Sequence, residues 1–207
     1  MRKVFISTVS LQPVKAYKYR SDVYPDSSPT AFPITISLEN NCNKGDRILM
    51  LTLVTHSKEK NIAEDNYVAF CQQVTDMAKE LSAEVEFREI SIPTRIEKNT
   101  HQRLYKNIIL ALQDDDEIYA DITYGFKYNP IVIFTALNHA YQTKNGVDVQ
   151  EICYGNLYTG EPVRQEPDPE YFDVTSLFYI NSISNIAGTA QLGNSIDLIP
   201  FDDDSGL

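Results

Sequence analysis

The sequence predicts an α/β protein: a doubly wound, mainly parallel sheet with helices on both faces. Three observations predict it. Apolar and β-branched runs alternate with helical repeats in the order β-α-β-α-β-α-β-α-β. Arg47 to Thr55 (Arg-Ile-Leu-Met-Leu-Thr-Leu-Val-Thr) is nearly continuous in its apolarity, as a strand buried on both faces must be. The intervening segments, roughly 10 to 16 residues long, place their apolar residues at helical spacing.

Element by element, Lys3 to Ser7 is a short β-branched and aromatic run, the first strand, which ends at Thr8 to Ser10. Leu11 to Pro29, with Pro13, Pro25 and Ser27-Ser28, reads as loop, with Ala16 to Arg20 compatible with a small strand. Thr30 to Asn41 fits two templates: Phe32, Ile34, Ile36 and Leu38 alternate as in a strand, while Thr30 as cap and the polar stop at Asn40 to Gly45 suit a helix, which is preferred. Arg47 to Thr55 is the second strand, and Asn66 to Leu81 a helix through Tyr67, Phe70, Val74, Met77 and Leu81. Glu84 to Ile92 alternates as a strand. Thr100 to Gln113 is a helix capped by Thr100, Glu117 to Thr123 a strand, Pro130 to Thr143 a helix, and Val147 to Tyr154 a strand ending at Tyr154-Gly155-Asn156. The organisation expected is a ligand-binding domain over residues 1–158, a polar linker over 159–170, a helix of the same domain over 171–192, and an acidic tail over 193–207.

At 207 residues and 23.5 kDa, with 43% hydrophobic residues, the chain fits one large domain with a real core. It has no run near the roughly 20 apolar residues of a membrane span, and its N-terminus lacks the apolar core of a signal peptide. Three dispersed cysteines, Cys42, Cys71 and Cys153, argue for a reducing cytoplasm and against a disulfide frame or a zinc site. The net charge of −11 argues against duplex nucleic acid as a partner. Its distribution is uneven: nine of the 29 acids and one of the 18 bases lie beyond residue 160, so the rest of the chain is close to neutral. The first 20 residues carry Arg2, Lys3, Lys15, Lys18 and Arg20 and no acid, which admits a compact anionic ligand near the first strand.

The chemistry-bearing segment is Glu117 to Lys127, followed by Asn129-Pro130 and a long apolar run. A strand here passes into a helix through a turn holding Asp121, Thr123, Gly125 and Lys127. In an open α/β sheet, ligands sit at carboxyl ends of strands, where helix N-termini offer free amides to anions. Gly125 permits close backbone approach and Lys127 supplies a mobile positive charge, whereas Asp121 is better read as structural, since a carboxylate facing an anion would weaken the site. Thr8 and Ser10 occupy the first ligand loop of such a sheet, but without the glycines of a dinucleotide or Walker-type fingerprint. Arg95-x5-His101 occurs in some metal-independent ribonucleases, yet the spacing is common by chance. His56 and His139 have no partner visible in sequence, Asp114-Asp115-Asp116 reads as a solvated turn, and Cys153 as a buried small side chain.

These pieces, taken in order, resemble the CRISPR-associated Rossmann-fold (CARF) sensor domains of type III CRISPR systems over roughly residues 3 to 192. The match rests on Lys3-Val4-Phe5-Ile6-Ser7, Tyr17-Lys18-Tyr19-Arg20, Arg47-Ile48-Leu49-Met50-Leu51-Thr52, and Asp121-Ile122-Thr123-Tyr124-Gly125-Phe126-Lys127 with Pro130 beyond it. Cys153-Tyr154-Gly155-Asn156 and a helix opening at Phe172-Asp173-Val174-Thr175 complete it. Tyr124 stands where the family has His, and Lys127 where it has Arg, which keeps the charge and loses the planar fork.

The resemblance implies a Rossmann-like homodimer that binds a cyclic oligoadenylate, cyclic tetra-adenylate above all, and relays its presence to an effector beyond this chain. It implies ligand contacts at Thr8, Val9, Ser10, Thr123, Tyr124, Gly125, Phe126, Lys127, Gly155 and Asn156, with no metal and no cofactor. A two-fold ring suits an isologous dimer. Two alternatives stay open: a ring nuclease acting without metal, with Lys127 and Thr8 or Ser10 as the catalytic groups, and an unrelated nucleotide-binding α/β protein.

Overall fold

The computed structural model describes residues 2–56, 62–95, 97–158 and 168–189. Among these the chain forms β1 (Arg2–Thr8), α1 (Ile34–Asn41), β2 (Arg47–His56), α2 (Ile62–Leu81), β3 (Glu84–Pro93), α3 (Thr100–Ala111), β4 (Asp116–Asp121), α4 (Asn129–Thr143), β5 (Asp148–Tyr158), β6 (Asp168–Asp173) and α5 (Thr175–Thr189). The strands join one sheet in the order β3-β2-β1-β4-β5-β6, parallel except for the last pair, β5 and β6. This is the doubly wound α/β architecture that the alternation predicts, Rossmann-like in strand order.

Side chains alternate across the central strands and feed two cores. Val4 and Ile6 of β1, Leu49, Leu51 and Leu53 of β2 and Ile118 and Ala120 of β4 pack on one face beneath residues of α3, α4 and α5. Phe5, Met50 and Tyr119 pack on the other beneath residues of α1 and α2. On that second face Phe5 stacks on Tyr119, ring centroids 4.7 Å apart and nearly coplanar in tilt at 11°.

The segment before α1 is ordered although its composition is that of a loop. Tyr17 and Thr30 exchange backbone hydrogen bonds, and Arg20 reaches β6 through Arg20 N–H to the Pro169 carbonyl and Tyr171 N–H to the Arg20 carbonyl. Thr30 is therefore not the helix cap. The helix begins after Pro33, whose φ of −52° is already helical. At α3 the capping position is Asn99, while Thr100 Oγ1 accepts a hydrogen bond from Glu97 N–H.

Larger differences lie in the C-terminal third. β5 runs to Tyr158 rather than stopping at Tyr154, because a strand that composition hides, β6, pairs with it from Cys153–Asp173 to Tyr158–Asp168. Residues 168–170 thus belong to the sheet rather than to a linker, and Phe172 and Asp173 belong to β6 rather than to a helix. The helix starts at Thr175, whose N–H donates to Asp173 Oδ1. Pro167 and Pro169 argue against a strand in sequence, and β6 tolerates Pro169 because it lies at the sheet margin. The rest of the expected linker, residues 159–167, and the acidic tail over 193–207 lie outside the described residues.

The opposite margin is β3, where Glu84, Glu86 and Glu89 are exposed. Asp114-Asp115-Asp116, expected as a solvated turn, is split: Asp116 is buried, takes Arg2 in a two-pronged ion pair of 2.9 and 2.7 Å, and accepts Gln113 N–H. Phe5→Ala removes the stacked ring from the middle of the sheet and is expected to destabilise the protein by about 3–5 kcal/mol. Urea denaturation followed by circular dichroism measures it, and a loss below about 1 kcal/mol would contradict this packing.

Candidate functional site

β1 has a parallel neighbour on each side, and the chain leaves its two flanks in opposite directions. After β1 it passes to α1, on the Phe5 and Tyr119 face, whereas after β4 it passes to α4, on the Val4 and Ile6 face. The carboxyl ends of β1 and β4 therefore diverge at the topological switch point of the sheet, where folds of this order form a crevice, here closed over by the Gly125 turn.

One wall is organised by Asp121, the last residue of β4, only 1% exposed. Its carboxylate accepts Thr123 N–H at 2.7 Å and Ile34 N–H at 3.2 Å, so it holds both the turn and the start of α1. The Thr123 hydroxyl accepts Gly155 N–H at 2.7 Å, which links the turn to β5. Burial outweighs these donors and lifts the Asp121 carboxyl from 3.8 to about 6. Tyr124 donates its hydroxyl to the Ala31 carbonyl at 2.8 Å beside Tyr19, whose own phenol burial pushes up to about 12. Ser7 and Thr52, paired in register between β1 and β2, present buried hydroxyls without a partner on this face.

The other wall is made of Thr8, Gly125 and Asn129, flanked by Tyr128 before α4 and by Thr55 on the same face of β2, and its polar side-chain atoms have no partner within the protein. Thr8 Oγ1, Thr55 Oγ1, the Tyr128 hydroxyl and both side-chain atoms of Asn129 are buried with no hydrogen-bond partner. Thr8 is 3% exposed and Asn129 not at all. Each such group costs on the order of 1–3 kcal/mol when left unmatched. Gly125, at φ +92°, lies over Thr8 and Asn129: a Cβ there would sit 2.3 Å from Thr8 Cγ2 and 2.6 Å from Asn129 Nδ2. Phe126 stacks on Tyr128 at 5.4 Å, and His101, from the first turn of α3, meets Tyr128 edge-on at 4.5 Å.

The sequence-predicted residues divide accordingly. The structure brings Thr8, Thr123, Tyr124, Gly125 and Phe126 together around the crevice, with Lys127 exposed at the turn and no carboxylate paired with it among the described residues. Val9 is buried against Val54 and Ala63. Ser10 Oγ accepts Gln12 N–H, and its carbonyl takes the Asn66 amide, so this loop is held from α2. Gly155 and Asn156 are not strand-end residues: they pair with Tyr171 and Glu170 inside the β5–β6 ladder. Gly155 faces Pro33 and Tyr19 so closely that a Cβ would fall 2.4 Å from Pro33 Cγ.

Charge is placed differently from what the sequence suggests. Arg2 and Lys3 lie at the amino end of β1, away from the crevice, and pair with Asp116 and with Asp46 and Glu117. Arg20 pairs with Glu170, and Lys15 lies over the Tyr17 ring at 5.6 Å, leaving Lys15 and Lys18 without a carboxylate partner among the described residues. At α4, Pro130 has no N–H and Asn129 N–H is turned to the Phe126 carbonyl, so the helix start offers few free amides. His56, without a partner in sequence, lies between Glu64 (2.6 Å) and Glu89 (2.5 Å), which raise its pKa, and His139 packs edge-on to Tyr105.

Sequence reasoning missed Asn129, Tyr128, Thr52, Thr55 and Ser7. Asn129 before Pro130 carries the signal of a helix start, which conceals that its side chain caps nothing. Among the described residues no group of three or more His, Cys, Asp or Glu is placed to hold a metal ion, and no helix is long and apolar enough to cross a membrane. No protein-family model matches the chain, and no curated protein matches it either.

Two outcomes follow from this geometry. Gly125→Ala places a methyl where Thr8 and Asn129 already sit, at a backbone angle that L residues avoid; a loss of about 1–3 kcal/mol is expected, read as a fall of about 2–10 °C in melting temperature. Asp121 binds its proton more tightly folded than unfolded, so its contribution to stability is present at low pH and is lost as pH rises from about 4 through about 6. A carbon-13 titration of the carboxyl resonances should show Asp121 with a midpoint near 6, and a midpoint at or below 4 would contradict its burial.

Proposed function

We propose that the chain is a CARF-like, homodimeric sensor that binds a cyclic oligoadenylate, cyclic tetra-adenylate in the first instance, at the crevice between β1 and β4, and passes that signal to an effector in type III CRISPR defence. The observation that carries the reading is the set of buried, unpaired polar groups gathered at the switch point under the Gly125 turn. A strand-end crevice of this topology is where α/β sheets hold nucleotides, and buried hydrogen-bonding groups with no partner in the protein are stabilised when a polar ligand meets them.

The Gly125 turn lies over Thr8 and Asn129, so ligand entry to them requires it to lift; a state with the turn raised is favoured by a ligand that bonds the groups beneath. Lys127, exposed at the rim, supplies the charge for a ring phosphate. Two copies of the crevice offer equivalent contacts to a ring with two-fold symmetry, which is the reason for a dimer.

Calorimetry with cyclic tetra-adenylate, on protein whose mass in solution is measured by sedimentation, tests the proposal. Binding by a dimer at one ring per two chains, weakened roughly tenfold or more by Lys127→Ala, is the expected result. Absence of binding at about 100 µM ring would refute it and favour an unrelated nucleotide-binding protein. Recovering the labelled ring intact after incubation in EDTA identifies a sensor; recovering linear products identifies a ring nuclease.

A further inference from the structure

The unpaired wall of the crevice is uncharged throughout: two threonine hydroxyls, a phenol and a carboxamide. The buried charge at the end of β4 is negative, the Asp121 carboxylate, and the positive charge of Lys127 stays outside at the rim. Moving a phosphate into this wall would strip its hydration with no buried cation in the wall to offset the cost, which is prohibitive. The wall fits a neutral, planar ligand edge instead.

Asn129 is the one group there that offers a donor and an acceptor from a rigid plane. A carboxamide of this kind pairs in two-pronged fashion with the edge of adenine that carries the N6 amine and N7; the corresponding edge of guanine presents two acceptors and cannot satisfy both ends. Beside it, Tyr128 and Phe126 are stacked with an interplanar angle of 11°, and His101 closes on Tyr128 from α3. Aromatic faces next to a hydrogen-bonding amide are the components of a base pocket.

We propose that Asn129 is the base-reading residue of the crevice, taking N6 and N7 of one adenine of the bound ring beneath the raised Gly125 turn, while phosphates remain at the rim with Lys127. This rests on the cyclic oligoadenylate reading and deepens it. Thr8, beside Asn129 under the turn, would then meet the base rather than a phosphate, and the Ser10 hydroxyl is taken up by its own loop.

The test compares cyclic tetra-adenylate with the same ring built from 7-deaza-adenosine, which keeps shape and phosphates but lacks N7. Parent protein should bind the 7-deaza ring roughly ten- to a hundredfold more weakly, and Asn129→Leu should bind both rings equally, at or below the parent's affinity for the 7-deaza ring. Free Asn129→Leu should melt no lower than the parent, since it replaces an unpaired buried amide by a side chain of similar size. Equal binding of the two rings by the parent, or undiminished discrimination by Asn129→Leu or Asn129→Ser, overturns the assignment and leaves ring binding intact. A parent that binds neither ring removes both the assignment and the reading beneath it. Asn129→Leu melting well below the parent would make Asn129 a structural residue and overturn the assignment as well.

Discussion

The constraint on which the rest of the molecule depends is the position of β1 between two parallel neighbours. Its backbone is paired on both sides from Arg2 to Ile6, so its side chains must serve two cores at once, and Val4, Phe5 and Ile6 are all fully buried. The same placement separates the exits of β1 and β4 to opposite faces. Polar residues begin where the apolar demand ends, at Ser7 and Thr8, and there they find no partners within the sheet. Packing and site are thus two halves of one strand.

Much of this was legible in the sequence because the periodicities are strong. Arg47 to Thr55 announces a doubly buried strand, and the helices from Tyr67, Leu104 and Val132 onward show their buried faces plainly. Gly125 was readable too, since a turn between a strand and a helix with a glycine in it has few alternatives. What escaped was set by contacts distant in the chain. β6 is hidden by its prolines and acids, and is a strand only because β5 lies beside it and Arg20 reaches across. Gly155 reads as a turn residue, yet it is needed for the close approach of Pro33. Asn129 escaped because a helix-start asparagine ordinarily caps the helix it begins.

Buried acids hold the loop-like region together. Glu151 of β5 accepts the Tyr171 hydroxyl at 2.5 Å and that of Tyr24 at 3.3 Å, and Ser37 of α1 meets Tyr171 at 2.6 Å. Burial raises the Glu151 carboxyl, with Tyr171, Ser37 and Tyr24 acting against that rise. Together with Asp121 it ties residues 17 to 41 to the carboxyl half of the sheet by hydrogen bonds rather than by secondary structure. That explains why a stretch with the composition of a loop nevertheless contributes Tyr19 and Phe32 to the core.

The acidic margin on β3 has a consequence for assembly. A second molecule approaching along that strand would meet a row of charged side chains, Glu84, Glu86 and Glu89 with Arg88 among them, and charges along an exposed edge oppose continuation of the sheet from one molecule to the next. Self-association is thereby steered off the β3 border of the sheet.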